Sequence, residues 1–238
     1  MQVSHRLNAA PQRLIWTWLL AFATAAVVFS ASRQGYAEEK APAKDGEVVI
    51  LAFGDSLTAG YMIPPDKSFP AQLQAALRAK GYAVRILNSG VSGDTAEEGL
   101  DRLDWSLVEK VDGAIVEFGA NDALRGLDPK VTERALDAML KSLSGKRIEL
   151  LLAGMEAPRN WGEAYDKAFR NIYPRLSQKY GAIFYPFFLR DVATIARLNL
   201  ADGLHPTPEG VAIIVNNILP DVEMLIARIR ENRATKHS

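Results

Sequence analysis

The stretch "ILAFGDSLTAGY", residues 50–61, decides how the chain is interpreted. It passes from a continuous apolar run, typical of a buried strand, directly into a small polar loop flanked by Gly54 and Gly60. Gly, Asp and Ser are ordinary turn residues, so Asp55 and Ser56 could simply form a turn. Alternatively, Ser56 is a nucleophile held where a rigid strand ends. The second interpretation requires a base elsewhere in the chain.

Apolar runs of this kind recur along the chain and alternate with stretches of helical spacing. The runs are continuous, which indicates short buried strands of a parallel sheet. The alternation predicts an α/β fold with one parallel sheet and helices on both faces. Pro220 is expected to kink or restart the last helix. The predicted strands are "VVILAF", "VRILN", "GAIVEF", "IELLLAG" and "AIFYPF".

The N-terminal 37 residues have the features of an export signal. Two arginines precede an uncharged run over residues 14–29, and small residues follow it, so we expect cleavage after Ala37, with cleavage after Ser32 as the other option. An uncleaved membrane anchor is the alternative, since the run is just short of a spanning helix. The signal predicts a periplasmic protein, or a secreted one, with no stable membrane anchor after cleavage.

The remainder of the chain is expected to form one domain. Residues 38–47, "EEKAPAKDGE", are charged and lack apolar periodicity, which is typical of a flexible leader. Residues 48–238 are then a single domain, because a chain of 238 residues that is 48% apolar can bury one sizeable core. A monomer is the default expectation for its oligomeric state.

Charge and cysteine content exclude several classes of function. Without residues 1–37 the chain carries 25 basic and 28 acidic residues, a net charge of −3, which argues against a nucleic-acid or anionic-membrane partner. The chain has no cysteine. Catalysis by a thiol and zinc–thiolate sites are therefore excluded, and no metal or other cofactor is expected.

The base that Ser56 would need can be found by elimination. Of the three histidines, His5 lies in the signal and His237 lies next to the C-terminus, which leaves His205. Asp202 precedes it by three residues in "ADGLH", close enough to orient one ring nitrogen and leave the other free for a serine. Taken alone, the histidine could be a surface residue and the aspartate a turn or helix cap.

Attack of a serine on a carbonyl also requires hydrogen-bond donors for the oxyanion that develops. The backbone amide of Ser56 is one candidate. Gly90 is a second, because a residue without a Cβ allows its amide to approach a ligand closely. Asn121 is a third, through its uncharged side-chain amide. Each also has a structural interpretation, with Gly90 as a turn glycine and Asn121 as a helix cap.

Four sequence blocks in this order resemble those of the SGNH hydrolases, the GDSL esterase superfamily. The blocks are "FGDSLTAGY", "NSGVSGDT", "FGANDALRG" and "DGLHPTPEG", and the resemblance extends from Val48 to about Leu225. The bacterial periplasmic group of thioesterases, arylesterases and lysophospholipases looks most similar. The resemblance implies a flavodoxin-like three-layer α/β/α sandwich with a five-stranded parallel sheet.

The resemblance also implies roles for individual residues. Ser56 would be the nucleophile, His205 the base and Asp202 its partner, and Ser56, Gly90 and Asn121 would form the oxyanion hole. The expected activity is hydrolysis of carboxylic esters or acyl thioesters, with aryl esters, acyl-CoA and lysophospholipids as candidate substrates. Two alternatives stay open: an exported binding module without catalysis on the same fold, and a carbohydrate or polysaccharide acetylesterase.

The resemblance further implies that two more loops shape the acyl site. They are "ALRGL", which follows Asn121, and "MEAPRNWG", residues 155–162. "SGVSGDT" could pass for a dinucleotide-binding loop, but its glycine spacing is not that of G-x-G-x-x-G. Ser56 also lacks the G-x-S-x-G frame of the α/β-hydrolase lipases.

Overall fold

The computed structural model describes residues 46–235. The predicted signal over residues 1–37, most of the predicted leader over 38–47, and both His5 and His237 lie outside the described residues. In the described part of the chain, five parallel strands form one sheet in the order β2-β1-β3-β4-β5. The strands are β1 (Val48–Gly54), β2 (Val84–Gly90), β3 (Gly113–Glu117), β4 (Glu149–Ala153) and β5 (Ile183–Tyr185).

Helices cover both faces of this sheet. Helices α2 and α9 pack together on one face, while α3, α6 and α8 pack together on the other. The predicted α/β fold with a five-stranded parallel sheet is confirmed. The helices are α1 (Ser56–Ala59), α2 (Phe69–Ala79), α3 (Ala96–Asp101), α4 (Leu103–Ser106), α5 (Ala120–Leu124), α6 (Pro129–Gly145), α7 (Glu163–Arg170), α8 (Ile172–Tyr180) and α9 (Pro208–Thr235).

The central strands are buried on both sides, which explains their continuous apolar sequences. Every residue of β1 is buried, and so is every residue of β3. Strand β3 nevertheless ends in a carboxylic acid, Glu117, which is fully buried. A charged residue type at such a position is unusual, because burial of an unpaired carboxylate is costly.

Helix α9 runs without interruption through Pro220, so the predicted restart at this residue does not occur. Ile218 and Val222, on either side of the proline, are fully buried. Apolar packing against the sheet therefore outweighs the one helical hydrogen bond that proline removes. By length and composition alone, α9 is the one described helix that could cross a membrane, but 44% of its most apolar window is buried inside the protein. Core helices of soluble proteins meet the same criterion.

The register of the sheet aligns the ends of three adjacent strands, the edge strand β2 and its neighbours β1 and β3. Gly54, the last residue of β1, pairs with Gly90 of β2 and with Glu117 of β3. Since the strands are parallel, the loops that follow them begin at the same edge of the sheet. The polar loops after β1, β2 and β3 are thereby brought next to one another.

Candidate active site

Ser56 lies in a sharp turn between β1 and the single-turn helix α1. Asp55 caps this helix, and its side-chain Oδ1 accepts the N–H of Leu57 at 2.9 Å. Gly60 ends the helix with a left-handed φ of 84°, a conformation that favours glycine. The turn is held on both sides, and the largely buried Ser56 keeps a small exposed fraction of 8%.

The three residues predicted as nucleophile, base and acid lie in one hydrogen-bonded row. His205 Nε2 is 2.8 Å from Ser56 Oγ, and His205 Nδ1 is 2.7 Å from Asp202 Oδ2. Asp202 Oδ1 accepts the backbone N–H groups of Leu204 and His205, at 2.9 and 3.0 Å. The aspartate therefore fixes both the loop that carries the histidine and the orientation of the imidazole ring.

These hydrogen bonds hold Asp202 in its charged form. The backbone N–H of His205, then the N–H of Leu204 and the His205 ring, lower the pKa of Asp202 to about 2. An ionised carboxylate can only accept hydrogen bonds, so the Nδ1 atom of His205 must be the donor. The other ring nitrogen of the neutral imidazole is then free to accept the Ser56 hydroxyl proton.

Tyr61 packs against the imidazole ring of His205. Its ring lies over the ring of His205, with 4.4 Å between the centroids and an interplanar angle of 38°. Tyr61 is the last residue of the block "FGDSLTAGY", and no pattern in the sequence indicates a role for it. Its contact with His205, 144 residues further along the chain, is visible only in the folded structure.

Asn121, near the start of α5, lies beside the nucleophile turn. Its Nδ2 donates to Asp55 Oδ2 at 3.2 Å and to the backbone carbonyl of Asp94 at 3.0 Å. The amide thus connects the loops after β1 and β2 to the loop after β3. Ser56 N–H, by comparison, has no hydrogen-bond acceptor among the described residues.

The structure does not support Gly90 as an oxyanion donor. Its backbone N–H is already donated to the side-chain oxygen of Asn88, at 3.0 Å. A Cβ at this position would lie 2.6 Å from the Cα of Ala59 and 2.8 Å from the carbonyl oxygen of Asp55. Gly90 is therefore required for the close packing of β2 against α1, which corrects the role expected from the sequence.

Gly93, in the same block, is better suited to donate. Its φ is +94°, in the region that favours glycine. Its carbonyl accepts from Arg125 Nη2 at 2.8 Å, and its N–H has no acceptor among residues 46–235. The next residue, Asp94, is the one whose carbonyl contacts Asn121. The sequence alone did not distinguish the two glycines, because the difference lies in which backbone N–H already has a hydrogen-bond acceptor in the folded turn.

Arg102 joins these loops, a role that no motif in the sequence indicates. Its guanidinium donates to the carbonyl oxygens of Gly54 at 2.9 Å and Ser89 at 3.0 Å, and to the carboxylate of Asp94 at 2.6 Å. It also lies 4.6 Å from the ring centroid of Phe53. A planar donor with several N–H groups suits this position, since it fixes the ends of two strands and the following loop at once.

An open cavity of about 810 Å³ begins at Ser56 and His205. Both loops predicted to shape the acyl site contribute to it, through Leu124 and through residues 155–159. The two loops are joined by a hydrogen bond of 2.7 Å from Trp161 Nε1 to the carbonyl of Ala123. The wall is mainly apolar, and its apolar members include Leu124, Met155, Ala157, Phe187, Leu189 and Ala193.

In residues 46–235, no group of three or more His, Asp or Glu side chains is arranged to hold a metal ion. The arrangement that the described residues do provide is a hydroxyl, an imidazole and a carboxylate in sequence, with unused N–H groups nearby. Such an arrangement can carry out nucleophilic acyl transfer.

Comparison with known proteins identifies the family of this chain. Residues 52–213 match the model of the GDSL-like lipase/acylhydrolase family. The chain belongs to this family. It is 39% identical over 161 residues to an arylesterase of Vibrio mimicus, covering 67% of this chain and 80% of the relative. It is 33% identical over 178 residues to thioesterase 1/protease 1/lysophospholipase L1 of Escherichia coli, covering 74% and 84% of the two chains.

Solved structures agree with this membership. The crystal structure of AlinE4, an SGNH-hydrolase family esterase, superposes with a TM-score of 0.64 at 45% identity and covers 75% of this chain and 96% of that one. The predictions of an SGNH hydrolase and of an esterase or thioesterase enzyme are confirmed. The alternative of a binding module without catalysis is correspondingly disfavoured.

Proposed function

We propose that this SGNH hydrolase cleaves carboxylic esters and acyl thioesters through a covalent acyl-enzyme on Ser56. The observation that carries the proposal is the row from Ser56 Oγ through His205 to Asp202, with contacts of 2.8 and 2.7 Å, at the mouth of an apolar cavity. Each contact has the length of a hydrogen bond that can transfer or hold a proton.

In the first half of the reaction, Ser56 Oγ attacks the carbonyl carbon while His205 Nε2 takes the hydroxyl proton. The resulting tetrahedral intermediate collapses, the bond to the leaving group breaks, and His205 returns the proton to the departing alcohol or thiol. Asp202 stays ionised throughout, which stabilises the imidazolium formed in between.

In the second half, water enters the position that the leaving group has vacated. His205 Nε2 takes a proton from this water as it attacks the acyl carbon, and then gives the proton to Ser56 Oγ when the acyl bond breaks. The carboxylic acid leaves and the starting enzyme is restored. The donors assigned to the oxyanion are Ser56 N–H, Gly93 N–H and the side-chain amide of Asn121. Asn121 would keep its N–H contact to Asp55 and turn the N–H now bonded to the Asp94 carbonyl towards the oxyanion. Preorganised donors of this kind supply a large share of the rate enhancement of acyl transfer.

The cavity supports an apolar acyl group as the part of the substrate that is bound. Most of its exposed wall is apolar, with side chains such as Leu124, Met155 and Phe187, although Glu156 and Arg159 also line it. A volume of about 810 Å³ exceeds what an acetyl group needs. This disfavours a polysaccharide acetylesterase and favours esters or thioesters of longer acyl chains, including acyl-CoA and lysophospholipids, as candidates.

A substrate panel tests this function directly. The panel consists of aryl esters and acyl-CoA thioesters with acyl chains of about two to sixteen carbons. They would be assayed with the purified enzyme and with Ser56→Ala, which is the control for background hydrolysis. We expect kcat/KM to rise with chain length for the intact enzyme and to be lost in the variant. Equal activity of both proteins, or activity confined to acetylated sugars, would contradict the proposal.

We also propose that the enzyme is exported and works in the periplasm as a monomer. The apolar run over residues 14–29 and the small residues before Glu38 support cleavage after Ala37. The intact mass of the protein recovered from an exporting host should correspond to a chain that begins at Glu38. A mass that includes residues 1–37 would indicate an uncleaved anchor instead.

A further inference from the structure

Two carboxyl groups that take no part in the proton transfers lie directly beneath the nucleophile turn. Asp55 precedes Ser56, and Glu117 ends β3 opposite Gly54. Both side chains have an exposed fraction of 0%. No Lys or Arg among the described residues forms an ion pair with either one. Neither buried carboxyl group therefore has a cation that could balance a negative charge.

The first carboxyl accepts hydrogen bonds through both of its oxygens. Asp55 Oδ1 accepts the N–H of Leu57 at 2.9 Å, and Asp55 Oδ2 accepts Nδ2 of Asn121 at 3.2 Å. The side chain therefore links the helix that carries the nucleophile to an amide assigned to the oxyanion hole. Each of its oxygens has to be an acceptor in order to make this link.

The second carboxyl is used on one side only. Glu117 Oε2 accepts the hydroxyl of Thr58 at 2.8 Å, and the backbone N–H groups of Asp55 and Thr58 also act on this carboxyl. Its Oε1 is buried and has no hydrogen-bond partner in the described structure. A bare anionic oxygen in such a position is far more costly than a neutral O–H group, because the charge has neither water nor a donor to stabilise it.

The groups that face this pair add further negative charge. Asp122 and Asp94 raise the pKa of Asp55, and the charges of Asp55 and Glu117 in turn contribute to the raised pKa of the buried Tyr173. Arg102 bonds to the Gly54 carbonyl, and its ion pair is with Asp94. Burial, more than these charges, raises the pKa of Asp55 to about 7 and holds that of Glu117 well above its ordinary value.

We propose that Asp55 and Glu117 are positioning residues for the acyl-transfer site, and that Glu117 works as a neutral carboxylic acid. Asp55, as a double acceptor, orients the amide of Asn121. Glu117 fixes the turn on both sides of Ser56 without placing another negative charge beneath the developing oxyanion. This inference rests on the proposed function, since it presupposes an oxyanion formed at Ser56.

The proposal predicts opposite responses to two matched substitutions. Glu117→Gln keeps a carbonyl oxygen for Thr58 and places the new NH₂ group where Oε1 now lacks a partner, so it imitates the neutral acid. Asp55→Asn turns one of two acceptors into a donor, which then faces either the Leu57 N–H or the Asn121 amide. The same chemical change is therefore tolerated at one carboxyl and harmful at the other.

The experiment measures kcat and KM on a short-chain aryl ester from pH 5 to 10, with thermal unfolding and fluorophosphonate labelling of each protein. The variants are E117Q, E117A and D55N, with the exposed Glu97→Gln on α3 as a control for loss of one negative charge. We expect E117Q to keep kcat within about threefold at pH 7 and E117A to lose about tenfold or more. For D55N we expect a loss of about tenfold or more in kcat, with KM changing less.

The pH profile separates positioning from a merely structural role. The ratio of kcat for E117Q to kcat for the unmodified enzyme should rise from pH 7 to 10, because only the unmodified enzyme can gain a second negative charge there. A flat or falling ratio would overturn the proposal. So would an E117Q protein that is folded and labelled but as slow as E117A at pH 7, or a D55N protein with unchanged kcat.

The outcome is distinguishable from failure of the proposed function itself. If the unmodified enzyme is not labelled, or if Ser56→Ala still hydrolyses esters, then the acyl-enzyme mechanism is wrong. If both of those controls behave as expected, the comparison of E117Q with D55N decides the role of the carboxyl pair alone. Should E117A fail to fold, the comparison of E117Q with the unmodified enzyme across the pH range still gives the answer.

Discussion

The imidazole Nε2 of His205 lies 2.8 Å from the hydroxyl oxygen of Ser56, although 149 residues separate the two in the chain. The parallel sheet makes this contact possible, because it places the loop after β1 next to the loop that leads into α9. The contact also makes Ser56 the hydroxyl best placed to lose its proton to a base. The predictions below follow from it and from the groups that surround it.

Asp202→Asn is expected to lower kcat by about 10² to 10⁴ with little change in fold. Its remaining carbonyl oxygen can still accept the N–H groups of Leu204 and His205, which hold the loop. Its NH₂ group, however, would face Nδ1 and favour the tautomer whose Nε2 carries the proton. Steady-state kinetics alongside thermal unfolding would test this, with the exposed Asp66→Asn as the matched control. A folded D202N enzyme with kcat close to that of the control would exclude the proposed role.

Asn121→Ala is expected to lower kcat by about 10² to 10³, with KM changing far less. If the amide served only to join loops, through Asp55 and the Asp94 carbonyl, its loss would reduce stability by about 1 kcal/mol and leave turnover per folded molecule almost intact. Measurement of kcat and of the unfolding temperature on the same preparation separates the two results. When Asn121→Ala is added to Ser56→Ala, little further loss is expected, because no tetrahedral oxyanion then forms.

Ala193→Phe is expected to shorten the preferred acyl chain. Ala193 lies in the wall of the cavity, so a larger side chain there occupies space that a long acyl group would use. We expect kcat/KM for long-chain esters to fall by about tenfold or more while that for acetyl esters changes much less. Kinetics with an ester series of increasing chain length gives the answer. A uniform decrease across the series would show that the acyl chain binds elsewhere.

Glu117→Gln should stabilise the protein increasingly as the pH rises. In the unfolded chain Glu117 ionises near its ordinary pKa, whereas burial keeps the pKa of the folded state well above that value. Between those two pKa values the unfolded state binds fewer protons, so the stability of the unmodified protein declines with rising pH. Glutamine has no such titration. The difference in Tm between E117Q and the unmodified protein should therefore be larger at pH 9 than at pH 5, and a difference that shrinks over this range would contradict a raised pKa.

Much of this site could be predicted, because the types of its residues and the order of their motifs along the chain indicate the chemistry. The five apolar runs predicted the five strands of the sheet. Parallel strands bring the loops at their C-terminal ends together whatever the details of packing. His205 could be selected since the other two histidines lie in the terminal segments. Asp202 precedes that histidine by only three residues, so this pair could be predicted from local sequence. Only the contact between His205 and Ser56 depends on the fold.

What could not be predicted depends on which backbone and side-chain groups are already in use. Gly90 and Gly93 look alike in "NSGVSGDT". In the described structure, however, the N–H of Gly90 donates to Asn88, whereas that of Gly93 has no acceptor. Glu117 gave one signal, an acid within the otherwise apolar run "GAIVEF", yet its partnerless oxygen is visible only in three dimensions. Pro220 suggested a kink or a restart in the last helix, and tertiary packing overrides the restart.

The central claim is that Ser56 forms the covalent acyl-enzyme, and intact mass spectrometry after treatment with a fluorophosphonate probe tests it most directly. We expect the unmodified enzyme to gain the mass of one probe adduct, located on Ser56 by peptide mapping, and to lose esterase activity in proportion. Ser56→Ala, shown by thermal unfolding to be folded, should gain no adduct and have no activity above background. An adduct on another residue, or ester hydrolysis that persists in folded Ser56→Ala, would contradict the account.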